Sequence, residues 1–178
     1  MKNLKIEHVA PYLPYALKVL SGDSKAVYEL SGIKIRDGWI NYERKIEING
    51  ENSPRYYTQE IKYCKPLLYP LSCLTKEIEV NGEIFIPIIE LTKIEDSQFN
   101  RELEINNGAY SRLKYLDNEG AIYYLAYYKK YNSFMFMDAK GTALEMLYTY
   151  KLYQKLLEWH FDINDLILYG LAIDKSTI

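Results

Sequence analysis

Short apolar and polar alternations, separated by turn-forming Asp-Gly and Asn-Gly pairs, run through the sequence up to residue 137, and a long helical periodicity follows them. A period of two is typical of half-buried strands, whereas spacings of three and four are typical of an amphipathic helix. Strands that precede helices, instead of alternating βαβ units, favour an antiparallel sheet with the helices packed on one face. The sequence therefore predicts the α+β class, β-rich over residues 15–137 and helical over residues 142–170.

The first predicted hairpin surrounds Asp37-Gly38, which lies between two alternating segments. Asp-Gly favours a two-residue type I′ loop, because both loop positions adopt positive φ and the turn matches the twist of the strands. Such a loop also fixes which residues face each other. The expected pairs are Ile35 with Ile40 and Ile33 with Tyr42 on one face, and Lys34 with Asn41 on the other.

Further turns divide the middle of the chain. A two-residue loop at Asn81-Gly82 would pair Ile78 with Phe85 and Val80 with Glu83. Residues rich in Gly, Pro, Asn and Ser predict surface loops elsewhere. The remaining expectations are a loop over residues 49–60, strand or helix over 88–94, a polar excursion without a site over 95–112, a hairpin formed by 111–116 and 121–128, and a strand over 134–137.

The helical signal is concentrated near the C-terminal end. Thr142-Ala143-Leu144-Glu145 fits a capping box, and apolar residues then recur at helical spacing as far as His160. The pattern predicts a helix from Ala143 to His160, with the imidazole at the negative end of the helix dipole. Asp162 is expected to cap a second short helix over residues 163–169, and Gly170 to end it.

Length and charge limit the classes of protein to consider. A chain of 178 residues can bury about 70% of its surface as one domain, and no linker or repeat divides it, so a single domain over residues 1–178 is expected. The net charge of −2 gives no global attraction for phosphates or anionic lipid. No stretch approaches the roughly 20 apolar residues of a membrane span, and the first five residues lack a signal peptide core. We expect a cytoplasmic protein that does not bind membranes.

Residue types that carry catalysis are few. Two histidines (His8, His160) and two cysteines (Cys64, Cys73) match no zinc-binding spacing, and no motif supports a Cys-His nucleophile. We predict both cysteines to be buried thiols, and no glycine-rich phosphate loop is present. Acidic residues near lysines, the pattern of a metal-dependent hydrolase, are Asp37 with Glu43-Arg44-Lys45, and Glu60-Ile61-Lys62. The sequence predicts no catalytic residue, no metal site and no cofactor, and the hydrolase remains an alternative.

The aromatic composition suggests a binding surface. The chain has 19 tyrosines, whose rings and hydroxyls suit half-buried sheet faces and interfaces alike. A nucleic acid could stack on the rings and pair with the lysines of one segment. The alternative is an ordinary strand in which Tyr124 and Tyr128 pack inward, and a protein interface is a third interpretation. The candidate binding residues are Tyr127, Tyr128, Lys129, Lys130 and Tyr131.

Three blocks of the sequence carry a resemblance to known proteins. They are residues 1–15 (MKNLKIEHVAPYLPY), residues 70–78 (PLSCLTKEI), and residues 158–162 (EWHFD) with 170–174 (GLAID). In these blocks the chain resembles a family of small proteins encoded by phages and prophages of Bacteroidetes, for which no activity is established. The resemblance implies a viral gene product that acts in the cytoplasm of a bacterial host cell.

These observations favour a non-enzymatic protein that binds and modulates a host protein. By analogy with other small acidic phage proteins, an anti-defence role such as inhibition of a CRISPR effector complex is expected. The first alternative is a nucleic-acid-binding accessory protein that uses the Tyr/Lys segment to bind RNA or DNA. The second is the metal-dependent hydrolase.

Overall fold

A computed structural model describes residues 3–22, 26–34, 38–48, 51–93, 101–105, 110–116, 120–128, 130, 133–143 and 149–178. The chain divides into two compact units. Unit 1 comprises residues 1–70 and 157–178, and unit 2 comprises residues 71–156. The described elements are mainly antiparallel strands with a few short helices and no regular βαβ alternation, so the α+β class predicted from the sequence is confirmed. Whether the units form the single domain that the sequence predicts stays a prediction.

Unit 1 is built on a six-stranded sheet. Its strands are β1 (Lys18–Ser21), β2 (Val27–Lys34), β3 (Trp39–Ile48), β4 (Glu51–Glu60), β5 (Cys64–Leu68) and β12 (Ile173–Asp174). Within the sheet they lie in the order β12-β5-β1-β2-β3-β4. All neighbours are antiparallel except β12 and β5, which are parallel. A helix α1 (Ile6–Val9) and 3-10 turns at Ala10–Tyr15, Ile61–Tyr63 and Lys175–Thr177 complete the unit.

The core of unit 1 joins the two ends of the chain. Tyr12 is completely buried, and its hydroxyl donates a hydrogen bond to the carbonyl of Phe161 at 2.6 Å. Burial raises the pKa of Tyr12, so the hydroxyl remains a donor at all ordinary pH values. Leu166 and Ala172 pack in the same apolar cluster as residues of the N-terminal strands. Residues 157–178 are therefore part of the core of this unit.

Unit 2 contains a four-stranded antiparallel sheet and a separate hairpin. Its elements are β6 (Ile78–Val80), β7 (Glu83–Phe85), α2 (Pro87–Thr92), β8 (Arg101–Ile105), β9 (Tyr110–Leu116), β10 (Ile122–Tyr128), β11 (Ser133–Asp138) and α3 (Thr149–Glu158). The sheet has the order β11-β10-β9-β8, and β6 and β7 form the hairpin. A 3-10 turn at Leu71–Thr75 precedes the hairpin. Helix α3 begins in unit 2 and ends in residues assigned to unit 1.

The two-residue hairpin at Asn81-Gly82 is confirmed. Ile78 pairs with Phe85 and Val80 pairs with Glu83, and both loop residues have positive φ, 55° for Asn81 and 85° for Gly82. The hairpin of β9 and β10 and the strand β11 are confirmed as well. Residues 88–94, for which the sequence allowed either a strand or a helix, begin within helix α2.

The register predicted for the first hairpin is wrong. Ile33, not Ile35, pairs with Ile40, so four residues separate the last paired positions Lys34 and Trp39. The register shifts by one residue at Ser31, where Leu30 pairs with Tyr42 and Gly32 with Asn41. Because Leu30 and Ile33 are three residues apart, a regular strand would direct them to opposite faces. The extra residue brings both to the core side.

Two other expectations are also corrected. The surface loop expected over residues 49–60 is largely strand β4, which pairs with β3 from Ile48 opposite Glu51 onward. The polar excursion over 95–112 contains β8 and the start of β9. Pro54 fits β4 because β4 lies at the edge of the sheet, where a missing N–H is tolerated.

The C-terminal helices differ from the prediction. Ala143 forms a β-bridge with Met137, so the helix does not begin there, and the proposed capping residue Glu145 lies outside the described residues. The described helix α3 covers Thr149–Glu158. Residues 163–170 form turns in place of a second helix, because Asp165 adopts a left-handed φ of 56° that breaks helical geometry. Among the helices that the structure describes, none combines the length and apolar character of a membrane span.

Candidate functional site

A pocket of about 460 Å³ lies within unit 1. Its lining comes from four stretches of chain, within residues 3–4, 20–22, 62–65 and 170–173. Strand pairing brings two of these stretches together, because Ser21 lies opposite Cys64 and Leu20 opposite Lys65. The volume falls in the range of about 300 to 1,000 Å³ that is usual for small-molecule pockets.

Close backbone contact fixes one side of the pocket. The Gly22 N–H donates to the Tyr63 carbonyl at 2.8 Å, and a Cβ at Gly22 would lie 2.7 Å from that oxygen. Real Cβ atoms essentially never approach another atom so closely, so this position requires glycine. The 3-10 turn Ile61–Tyr63 buries Ile61 and exposes Lys62 and Tyr63.

Two polar lining residues, Ser21 and Cys64, are hydrogen-bonded within the protein. The Ser21 hydroxyl donates to Gln59 Oε1 at 3.0 Å, and the Cys64 thiol donates to the same oxygen at 3.3 Å. All three side chains are buried. Satisfied buried polar groups stabilise the fold and leave little capacity for a ligand, so binding in this pocket depends on its apolar walls and its charges.

Two lysines provide the charges of the described lining. Lys62 forms an ion pair with Glu60, and its ammonium group lies 4.9 Å from the centre of the Tyr63 ring. Hydrogen bonding to Glu60 raises the pKa of Lys62, which therefore stays cationic. Lys65 is exposed and makes no ion pair with any described residue. No carboxylate is among the described lining residues.

A rigid turn borders the pocket. The buried Asp162 carboxylate accepts hydrogen bonds from the backbone N–H groups of Asn164, Leu166 and Ile167, at 3.3, 2.9 and 2.7 Å. This network holds the loop that presents Leu168 and Tyr169, which are 77% and 52% exposed and directly precede the pocket residue Gly170. We call Tyr63, Leu168 and Tyr169 the apolar rim.

The Tyr/Lys segment has a different environment in unit 2. Tyr127 is 5% exposed, and its ring lies 5.4 Å from that of Phe134. Tyr128 is half-buried, with its hydroxyl against the Met137 sulfur, and Lys130 is exposed. Lys129 and Tyr131 lie outside the described residues. The most buried tyrosine of β10 is therefore Tyr127, whereas the strand interpretation expected Tyr124 and Tyr128, and a binding role for the segment stays a prediction.

The histidines and cysteines have separate surroundings. His8 Nδ1 accepts from the Lys5 N–H at 3.2 Å, and buried His160 donates through Nε2 to the Tyr15 carbonyl at 2.6 Å. His160 follows the end of α3 by two residues, and its backbone N–H donates to the Leu157 carbonyl of the last turn while its φ is left-handed at 61°, so it terminates the helix. Burial lowers the pKa of its imidazole. Both cysteines are buried thiols, as predicted.

Among the acidic candidates for hydrolysis, the structure describes the surroundings of the Glu60 side chain alone. Glu60 and Lys62 pair with each other at the surface, Asp37 lies outside the described residues, and nothing is described of the side chains at 43–45. Across the described part of the chain, no three His, Cys, Asp or Glu side chains lie close enough to hold a metal ion.

Sequence reasoning did not find the pocket, because its lining residues are distributed over the whole length of unit 1. Two local signals point to it in retrospect: a glycine at the end of β1 and a glycine after the Asp162 turn. A comparison of the chain with protein-family models, curated proteins and solved structures gave no match.

Proposed function

We propose that the protein acts by binding another protein, with the apolar rim of unit 1 as the contact surface. The observation that carries this proposal is the exposure of Tyr63, which lines the pocket, and of Leu168 and Tyr169, which directly precede the lining residue Gly170. Tyrosine is enriched among the residues that dominate binding energy, and such residues cluster near pockets that exclude water. Exposed apolar groups around one concavity are typical of an interaction surface.

The rigidity of the rim supports the same proposal. The Asp162 hydrogen bonds order the loop before a partner arrives. A surface that is ordered in advance loses less conformational entropy on association. The resemblance to phage proteins suggests a host protein as the partner, and inhibition of a CRISPR effector or another defence system is the biological form of this proposal.

The proposal is tested by capture of partners from a lysate of the bacterial host, with and without nuclease, followed by direct binding to the purified candidate. We expect a nuclease-resistant partner whose affinity falls at least tenfold in the Leu168→Ser, Tyr169→Ala double variant. Ile84→Ser is the matched control, because Ile84 is similarly exposed but lies in unit 2. Equal binding by all three proteins would refute the role of the rim, and loss of capture after nuclease would favour the nucleic-acid alternative.

A further inference from the structure

We propose that the pocket of unit 1 binds a small apolar molecule that carries one carboxylate, such as a medium-chain fatty acid. The pocket volume of about 460 Å³ is roughly three times the 150 Å³ cavity that accommodates benzene. Its apolar walls include Leu4, Leu20, Leu171 and Ile173. The space therefore suits an extended hydrocarbon group better than a single methyl or ring.

The charges of the lining select the head group. Lys65 has no ion-pair partner in the described part of the protein, whereas Lys62 already pairs with Glu60. An anionic ligand that places its head group at Lys65 gains a charge-assisted hydrogen bond, and a cationic ligand is repelled. The net charge of the described lining is positive, so the ligand is expected to be an anion.

The backbone argues for a single carboxylate over a phosphate. Phosphate sites in proteins commonly use several convergent backbone N–H groups. At this pocket the Gly22 N–H already donates to the Tyr63 carbonyl, and the Ser21 hydroxyl donates to Gln59. Lys65, the one lining lysine that has no ion-pair partner among the described residues, matches the charge of a monocarboxylate.

Decanoate, decanol and decylamine form a matched set of probes, used on the full chain below the concentrations at which they form micelles. We expect decanoate to shift the backbone amide NMR signals of Ser21, Gly22, Cys64 and Gly170. We also expect decanoate to bind more tightly than decanol, and decylamine to bind most weakly of the three. Decyl phosphate tests whether the pocket prefers a phosphate head group, and we expect it to bind no more tightly than decanoate. Binding of decylamine as tight as that of decanoate, tighter binding of decyl phosphate, or decanoate shifts confined to residues that do not line the pocket would each overturn the proposal.

Two variants locate the binding. Lys65→Met should weaken decanoate binding about three- to tenfold while leaving decanol unchanged, because one charged hydrogen bond is lost. Lys76→Met is the control, since Lys76 is an exposed lysine in unit 2. Leu171→Trp should fill the pocket and abolish binding of both probes, with circular dichroism checking that the fold is retained. Unchanged decanoate affinity in Lys65→Met, or in folded Leu171→Trp, would refute the assignment. None of these measurements requires a protein partner.

Discussion

Asp162 organises the turns between α3 and β12, because its buried carboxylate accepts hydrogen bonds from three backbone N–H groups. We expected Asp162 to cap a helix, and its carboxylate does accept backbone N–H groups, but these belong to a series of turns. The residue is 5% exposed, so its oxygens have little access to water. Capping chemistry was therefore correctly assigned to Asp162, and the element that it caps was not.

Replacing Asp162 with Asn should destabilise unit 1 by about 1–3 kcal/mol. Both carboxylate oxygens accept hydrogen bonds, and an amide would place an N–H group against a backbone N–H. Urea unfolding measures the change, and Asp165→Asn is the matched control because Asp165 is exposed in the same turn. A loss below about 0.5 kcal/mol for Asp162→Asn would contradict the expected cost of a buried, unsatisfied donor.

His160 should make stability depend on pH. Burial lowers the pKa of His160 in the folded state, whereas the unfolded chain has the ordinary value of about 6.5. Above pH 6.5 both states hold a neutral imidazole; as the pH falls below it, the unfolded state binds the proton more readily. Stability from this residue is therefore present above about pH 6.5 and is lost as the pH falls through the lower folded pKa.

The variant His160→Asn isolates this effect, because Asn tolerates the left-handed φ of 61° and does not titrate. We expect the free energy of unfolding to fall less steeply between pH 7 and pH 5 in the variant than in the original protein. Loss of the hydrogen bond to Tyr15 lowers stability at every pH and does not change this difference in slope. Parallel pH curves for the two proteins would show that His160 does not contribute.

At the level of elements, hairpins with two-residue loops and hairpins with longer loops were not equally predictable. Asn81-Gly82 specifies both its turn and its register, because two left-handed residues in sequence define the pairing on either side. The β2–β3 hairpin contains the expected Asp-Gly pair, yet the bulge at Ser31 and the burial of Leu30 and Ile40 determine its register. Core packing outweighed the local turn preference.

Deletion of Ser31 should be tolerated, with a loss of less than about 2 kcal/mol. Without Ser31, the pairs of Leu30 with Tyr42 and Gly32 with Asn41 become consecutive, so residues on both sides keep their faces. Deletion of Glu29 is the matched comparison, and it should cost at least about 3 kcal/mol because buried Tyr28 would turn away from the core. Thermal and urea unfolding compare the two deletions. Similar losses for both would mean that the bulge does not set the register.

At the level of the whole molecule, the chain ends form unit 1 and the middle of the chain forms unit 2. The parallel pairing of β12 with β5 and the hydrogen bonds of Tyr69 with His160 and Asp162 join segments that are between 91 and 106 residues apart in sequence. Such contacts cost more loop-closure entropy than local hairpins and depend on the burial that they produce. Unit 1 therefore depends on the last 20 or so residues of the chain.

A chain that ends at Glu158 should lose the folded structure of unit 1. It lacks the fully buried Phe161 and Leu166, each worth about 2–5 kcal/mol, against a total stability of about 5–15 kcal/mol. A chain that ends at Lys175 is the control and should lose less than about 1 kcal/mol, since Ser176, Thr177 and Ile178 are exposed. Near-ultraviolet circular dichroism and urea unfolding distinguish the two. A cooperative transition of the shorter chain at the original midpoint would contradict this dependence.

Several features could be predicted from the amino-acid sequence alone: the α+β class, the Asn81-Gly82 hairpin, the strands β9 to β11, the buried cysteines and the left-handed Gly170. These features depend on backbone preferences and on spacing within a few residues, which a single sequence displays directly. Three others required the folded structure: the bulge at Ser31, the turns after Asp162, and the pocket that joins residues from both ends of unit 1. Each of these depends on burial against residues distant in the chain, and local pattern does not record which distant residues will meet.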